Sequence, residues 1–295
     1  MHQSIFVILC YQQMIKIVKK LLPFQLKNLI KSFHKNIKNF RNSKKIIEHM
    51  EIDFMLSRLY KKKTINILEI GSHLGEIFNI ISGNNFDQLF KIVCIEPNPS
   101  SFSKLQKNLT RKIRKIAEVN FYNIGVSSED DILPFYSPSV SSALFTLNKE
   151  NLNKFELKNQ SINVVNVQTY KIKTLLYKKL IQDNYDIIKI DAEGSDYQIA
   201  NQIIDNSIIF ANLMIELDES NLNLLSNLFN KLEDYSAYVF LRDGIKTLSI
   251  EKTNGISEIR QLINDKQAFS INPIAGNIVF VKEEKLNSLN EDLKN

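Results

Sequence analysis

From residue 64 onward the chain alternates short apolar runs with segments whose apolar residues recur at helical spacing. The runs are INILEIG (65–71), KIVCIEP (91–97), VNFYNIGV (119–126), YDIIKIDAE (185–193), NLMIELD (212–218), AYVFLRD (237–243) and NIVFVK (277–282). Between them the spacing predicts helices over 99–109, 171–182, 194–206, 219–233 and 256–265. Near-continuous apolar runs belong to strands covered on both faces, where alternating ones belong to half-exposed sheets. Strand and helix in alternation therefore predict an α/β fold, a doubly wound Rossmann-like sheet with helices on both sides. Residues 127–168 break the rhythm with serines and turn formers around Phe135, Tyr136 and Phe145. That stretch is either a cover over a pocket or a surface excursion.

Ahead of the first strand, residues 12–33 place Ile15, Ile17, Val18, Leu21 and Leu22 at helical spacing with lysines between, until Pro23 interrupts. The simplest division is a basic, mainly helical N-terminal arm (1–60), one domain (61–283) and a polar tail (284–295). Charge sharpens this division. The net charge is +6, yet ten of the 38 basic residues fall in residues 1–47, which contain no acid. The remainder of the chain is thus net acidic, and a nucleic-acid surface on the domain is not expected. Residues 1–45 can lie on an anionic membrane, or pack as a helix with the lysines in solvent. The opening apolar stretch lacks a basic flank and a cleavage site, and no run reaches the ~20 residues of a spanning helix. Cys10 and Cys94 have no partners at ligand spacing, so a zinc site or disulfide framework is not expected. These features fit a cytoplasmic protein, peripheral to the inner membrane face if the arm binds there.

Three stretches carry chemistry. In LEIGSHLGE (68–76), Gly71 and Gly75 bracket a strand-to-helix turn, but the middle glycine of a dinucleotide turn is missing. Glu69, two residues before the turn, repels phosphate and welcomes a cationic or amino-bearing ligand. In VCIEPNP (93–99), Glu96 ends the second strand, where a carboxylate accepts the hydroxyls of a ribose. In IIKIDAEGSD (187–196), Lys189, Asp191 and Glu193 bring charge to the carboxyl edge of the sheet, where open α/β sheets place their sites. A solvated strand end or helix cap is the plainer account of such charges, but burial without a role is costly. His73 has no orienting partner in the sequence, so a structural place in the turn outweighs a catalytic one.

In this order, ILEIGSHLG, CIEPNP, IIKIDAEGSD and LMIELD resemble the FkbM-type family of S-adenosylmethionine-dependent methyltransferases, over roughly residues 64–282. The resemblance implies a class I methyltransferase sheet of seven strands with the last antiparallel. It implies S-adenosylmethionine over the first two strand ends, and methylation of a hydroxyl. Glu69, Gly71, Ser72, His73 and Gly75 would line the methionine side, Glu96 the ribose, and Asn123 the approach to the adenine. His73 stands where the family usually has Asn, Asp196 where Glu is usual, and Lys173 where Asp is common, which leaves one helix cap open. Asp191 is the leading base, with Glu193 beside it and Glu216 across on the fifth strand. Two such carboxylates can instead hold a divalent cation, but no further oxygen ligands are committed and no metal is expected. The expected acceptor is a glycan or small-molecule hydroxyl. The competing account is a non-catalytic peripheral membrane or scaffold protein that keeps the fold; intact Gly71, Gly75, Glu96 and Asp191 weigh against it.

Overall fold

The computed structural model describes residues 50–83, 86–138, 145–147, 149, 161–217, 222–243, 246–267 and 274–282. The chain divides into two units, 1–48 and 49–295. The basic arm at 1–45 and the polar tail at 284–295 lie outside the described residues.

The expected doubly wound layer is present. Strands β1 (Thr64–Ile70), β2 (Leu89–Ile95) and β3 (Ala117–Tyr122) run parallel to β7 (Asn184–Ile190) and β8 (Ile209–Glu216). Side chains alternate across a strand, and here both sides find cover. Leu68, Ile70, Val93 and Ile95 pack with Ile172 and Leu175 of α4 (Ile172–Tyr177), and with Ile199 and Ile203 of α5 (Asp196–Asp205). Ile65, Ile67, Ile92 and Cys94 face the other way, onto Ile77 and Phe78 of α2 (Glu76–Gly83) and Leu105 of α3 (Pro99–Asn108). Each such fully buried side chain contributes about 1.5–3 kcal/mol, which is why isoleucine, leucine and valine dominate these runs. Helix α1 (Met50–Arg58) joins the second cluster through Ile52, Met55 and Leu56. The stretch 50–60, assigned to the arm from sequence, therefore belongs with the domain, because its apolar stripe is core.

Beyond β8 the sheet turns antiparallel. Its order is β10-β9-β11-β8-β7-β1-β2-β3, with β9 (Tyr235–Asp243), β10 (Lys246–Thr253) and β11 (Ile274–Lys282). The last strand, β11, lies antiparallel between β8 and β9, as expected. The eighth strand, β10, is an addition to the seven expected. It forms a hairpin with β9 at the sheet edge, and its sequence KTLSIEKT has no continuous apolar run to announce it. Helices α6 (Leu222–Lys231) and α7 (Ile256–Gln267) cover the α5 side of this half through Leu225, Leu228 and Ile259.

A second, three-stranded sheet in the order β4-β6-β5 is formed by β4 (Gly125–Val126), β5 (Ile132–Pro138) and β6 (Ile162–Tyr170). Its inner face carries Phe135, which stacks on Phe145 with ring centroids 5.1 Å apart. No described helix is long and apolar enough to cross a membrane.

Candidate functional site

Connections diverge at β1, with β2 and β3 on one side and β7 and β8 on the other. A crevice opens at the carboxyl ends of the strands at such a switch point. The turn after β1 is stitched to both neighbours. The N–H groups of Gly71 and Ser72 donate to the Ile95 carbonyl at 2.9 and 3.1 Å, and Asp191 N–H donates to the Ile70 carbonyl at 2.9 Å. Gly71 has φ +80°, and a Cβ there would stand 1.7 Å from the Asp191 carbonyl oxygen. Glycine is therefore demanded by the approach of β7, whatever ligand the turn meets.

Glu96 is held by two backbone donors, His73 N–H to Oε2 at 2.7 Å and Asn98 N–H to Oε1 at 2.8 Å. Asn98 in turn caps α3, accepting from Ser100 and Ser101, with Pro99 in the first turn. The Asn123 amide donates to the Glu96 and Pro97 carbonyls at 2.8 and 3.1 Å. It clamps the turn that carries Glu96 and is absent from the described cleft lining.

The third stretch forms a charged loop. Lys189, 6% exposed, lies between two acids: its Nζ is 3.0 Å from Asp191 Oδ2 and 3.7 Å from Glu69 Oε1. Burial opposes the ammonium, but Asp191, Glu69 and Glu76 outweigh it and hold its pKa above the ordinary value. Burial lifts Glu69 to about 7 against the pull of Lys189. Burial, with Glu216 and Asp191 nearby, lifts Glu193 to about 9. Glu193 sits at φ +48°, rare for a residue with a Cβ. Its loop is fixed by Asp196, whose carboxylate accepts from Ala192 N–H and Gly194 N–H at 3.1 Å each, and by Thr146 Oγ1, which donates to the Glu193 carbonyl at 2.8 Å.

Of the residues expected from sequence, Gly71, His73, Glu96, Asp191 and Glu193 line one cleft. Glu69 and Ser72 are fully buried beneath its floor, Ser72 Oγ donating to the Glu69 carbonyl, which supports the turn. Gly75 (φ +79°) packs on Leu105 and Phe78 and also stands back from the cleft. Glu216 ends β8 outside the lining and reaches the site through its charge on Glu193. His73 places its ring Nδ1 3.5 Å from Glu76 Oε1, and that bond is the main cause raising its pKa. Glu76, Leu147 and Thr146 were not expected. Glu76 directly follows Gly75 and was legible as the first-turn acid of α2; nothing in the periodicity marks the other two.

The donor set suits S-adenosylmethionine. The described lining contains four carboxyl groups (Glu76, Glu96, Asp191, Glu193) and neither lysine nor arginine. That chemistry favours a sulfonium cation and an amino group and disfavours a pyrophosphate. Glu96 offers a braced carboxylate for a ribose, and Ile95, Pro97 and Val126 offer apolar contact. Among the described residues no group of three or more His, Cys, Asp or Glu is placed to hold a metal ion.

No curated protein matches the chain. Among solved structures, the precorrin-6y C5,15-methyltransferase of Geobacter metallireducens is 14% identical over 82% of this chain and 92% of its own, with a TM-score of 0.37. The methyltransferase FkbM of Methylobacillus flagellatus is 16% identical over 74% of this chain, with a TM-score of 0.39. The match spans 44% of that protein's length, less than half. The N-terminal domain of human METTL16 in complex with SAH is 11% identical over 80% of this chain and 68% of its own, with a TM-score of 0.38. A family model, the methyltransferase FkbM domain, matches residues 69–239, from the buried acid of β1 into β9 and across every residue of the cleft. The chain belongs to the methyltransferase FkbM domain family.

Proposed function

We propose that the protein is an O-methyltransferase acting on a hydroxyl of a saccharide or small metabolite. As a methyltransferase of this family it uses S-adenosylmethionine, which when bound supplies an electrophilic methyl group on sulfur. The observation that carries the oxygen assignment is the pair Asp191 and Glu193, side by side in the cleft and in contrasting surroundings. Asp191 is 42% exposed at its side chain and anchored by Lys189 through Oδ2. Glu193 is mostly buried and holds its proton to about pH 9. Two carboxyl groups that differ in burial and partners can divide the work between them. Asp191 accepts or orients the proton of the attacking hydroxyl, and protonated Glu193 donates a hydrogen bond to the acceptor. Glu96 positions the ribose side of the cofactor.

The test is incubation of the full chain with methyl-labelled S-adenosylmethionine and fractionated host lysate. The labelled product should resist mild base, as an ether does and a carboxyl ester does not. Asp191→Asn should lower turnover about 10²–10⁴-fold, the range for acid–base groups, with cofactor affinity within a few-fold. Collapse of cofactor binding with intact turnover would move Asp191 to the cofactor side and make Glu216 the better base. The ten unopposed positive charges of residues 1–47 further support a peripheral contact of the arm with anionic membrane. Loss of sedimentation with anionic liposomes on deleting residues 1–45 checks that contact.

A further inference from the structure

We infer that the amino edge of the main sheet is a docking face for an anionic phospholipid surface, built by the domain itself and separate from the arm at 1–45. The segments that lead into β1, β2 and β3 lie side by side at this edge. Leu89 N–H donates to the Lys63 carbonyl at 2.9 Å, and Phe90 N–H to the Ile116 carbonyl at 2.8 Å. The Gln88 amide donates to the Tyr60 carbonyl at 3.0 Å. These bonds gather residues 58–63, 87–91 and 111–118, which hold nine lysines and arginines against two acids, Asp87 and Glu118. Glu118 stands in register beside Lys91, and Lys62 is paired with the buried Asp186. The other cations leave the face strongly positive, although the chain after residue 47 is net acidic. The opposite edge of the sheet carries the four carboxyl groups of the cleft, so charge is segregated along the strand direction.

A second observation names the partner. Among these cations stand two large apolar side chains in water, Tyr60 at 61% exposure and Leu89 at 57%. Lys61 Nζ lies 5.8 Å from the centre of the Tyr60 ring. An aromatic and an aliphatic group ringed by lysines match the boundary between headgroups and acyl chains, where the apolar parts are buried and the ammonium groups meet phosphate. A nucleic acid would use the cations equally well, but Leu89 offers its bases no stacking face. The docked orientation follows from the strands. β1 is seven residues long, which at 3.3 Å per residue sets the cleft roughly 23 Å from the bilayer and open to water.

Sedimentation of the full chain with phosphatidylcholine–phosphatidylserine vesicles tests the face, with pure phosphatidylcholine as the control. One cation near an anionic surface contributes about fivefold in affinity, so Lys61→Glu with Lys63→Glu should weaken binding at least about tenfold. Arg111→Glu with Lys115→Glu should do the same. All four positions are exposed, so the thermal transition should stay in place. The arm is intact in both variants, so its own contact does not hide the effect. The chain has no tryptophan, which makes Leu89→Trp a single reporter. Its emission should move to the blue on the mixed vesicles, while that of Ile132→Trp, at an exposed position of the second sheet, should not. Unchanged affinity in either charge-reversed pair would leave membrane binding to the arm and overturn the inference. So would equal binding to pure phosphatidylcholine, no sedimentation of the native chain, or an unmoved Leu89→Trp emission on vesicles that carry the protein down. A mixed-sequence RNA bound more tightly than the vesicles through the same four residues would make this a nucleic-acid surface and overturn it too.

Discussion

Both oxygens of Glu96 accept a backbone N–H, from His73 and Asn98, without any ligand. A carboxylate has about four lone-pair sites, so it can still receive two hydroxyls, and its orientation is already set. A charge-assisted hydrogen bond contributes roughly 1.5–3 kcal/mol, so Glu96→Ala should weaken S-adenosylmethionine about tenfold to a hundredfold. Titration calorimetry on the folded variant measures it; unchanged affinity removes Glu96 from the cofactor site. Lys189 plays the complementary part beneath the floor. Glu69 is fully buried and Lys189 is its cationic partner, at 3.7 Å. Lys189→Met should therefore destabilise chiefly above pH 7, where Glu69 is charged, by up to about 3–5 kcal/mol, the cost of leaving a buried charge alone. Removing the acid as well, as Lys189→Met with Glu69→Leu, should restore much of that loss in urea titration. If the double variant is no better than the single one, the pair is not the reason for the loss.

Helix α4 illustrates how an element is completed from a distance. Its cap residue, Lys171, makes no capping bond with its own side chain. Asp130 supplies the bonds from the loop before β5, accepting Lys171 N–H and the Thr174 hydroxyl at 2.7 Å each. These bonds hold the Asp130 pKa below its ordinary 3.8, so its contribution is present above that value and fades as pH falls through the lower, folded one. Asp130→Ala should cost about 1 kcal/mol at pH 7 and nothing at the acid end, measured by urea titration at both. The same geography explains what the sequence made legible. Strands buried on both faces cannot avoid apolar runs, and strand-end glycines and acids stand out against them, so β1, β2, β7 and Gly71, His73, Glu96, Asp191 and Glu193 of the cleft could be read directly. What escaped depends on contacts between distant segments. β10 is a half-polar edge strand whose signal is its pairing with β9. Thr146 matters through a bond to a residue 47 positions away. Glu69 and Ser72 bear the right residue types, but only packing decides that both side chains are fully buried. The capping bonds of α4 likewise come from Asp130, 41 positions before the Lys171 whose N–H it accepts.

At the scale of the whole molecule, the site is a store of protons. Glu69 rises from 4.5 to about 7, Glu193 from 4.5 to about 9 and Asp196 from 3.8 to about 6, each chiefly by burial. In the unfolded chain these acids ionise near their ordinary values, so across this window the folded state binds more protons than the unfolded one. Stability therefore falls as pH rises, by about 1.4 kcal/mol per pH unit for each proton retained on folding. The contribution of Asp196 is spent by about pH 6 and that of Glu69 by about pH 7, while that of Glu193 drains until about pH 9. His73, also raised, acts in the same direction. For a domain of this size the loss corresponds to roughly 3–5 °C in Tm per pH unit for each proton. Tm should thus decline steadily from pH 5 to 9, where a chain with ordinary acids would level off. Glu193→Gln fixes the neutral form and should flatten the decline between pH 7 and 9 while leaving the steeper part below pH 7. A native Tm that is flat from pH 7 to 9 would mean that Glu193 is ionised in the folded protein and could not serve as the hydrogen-bond donor to the acceptor.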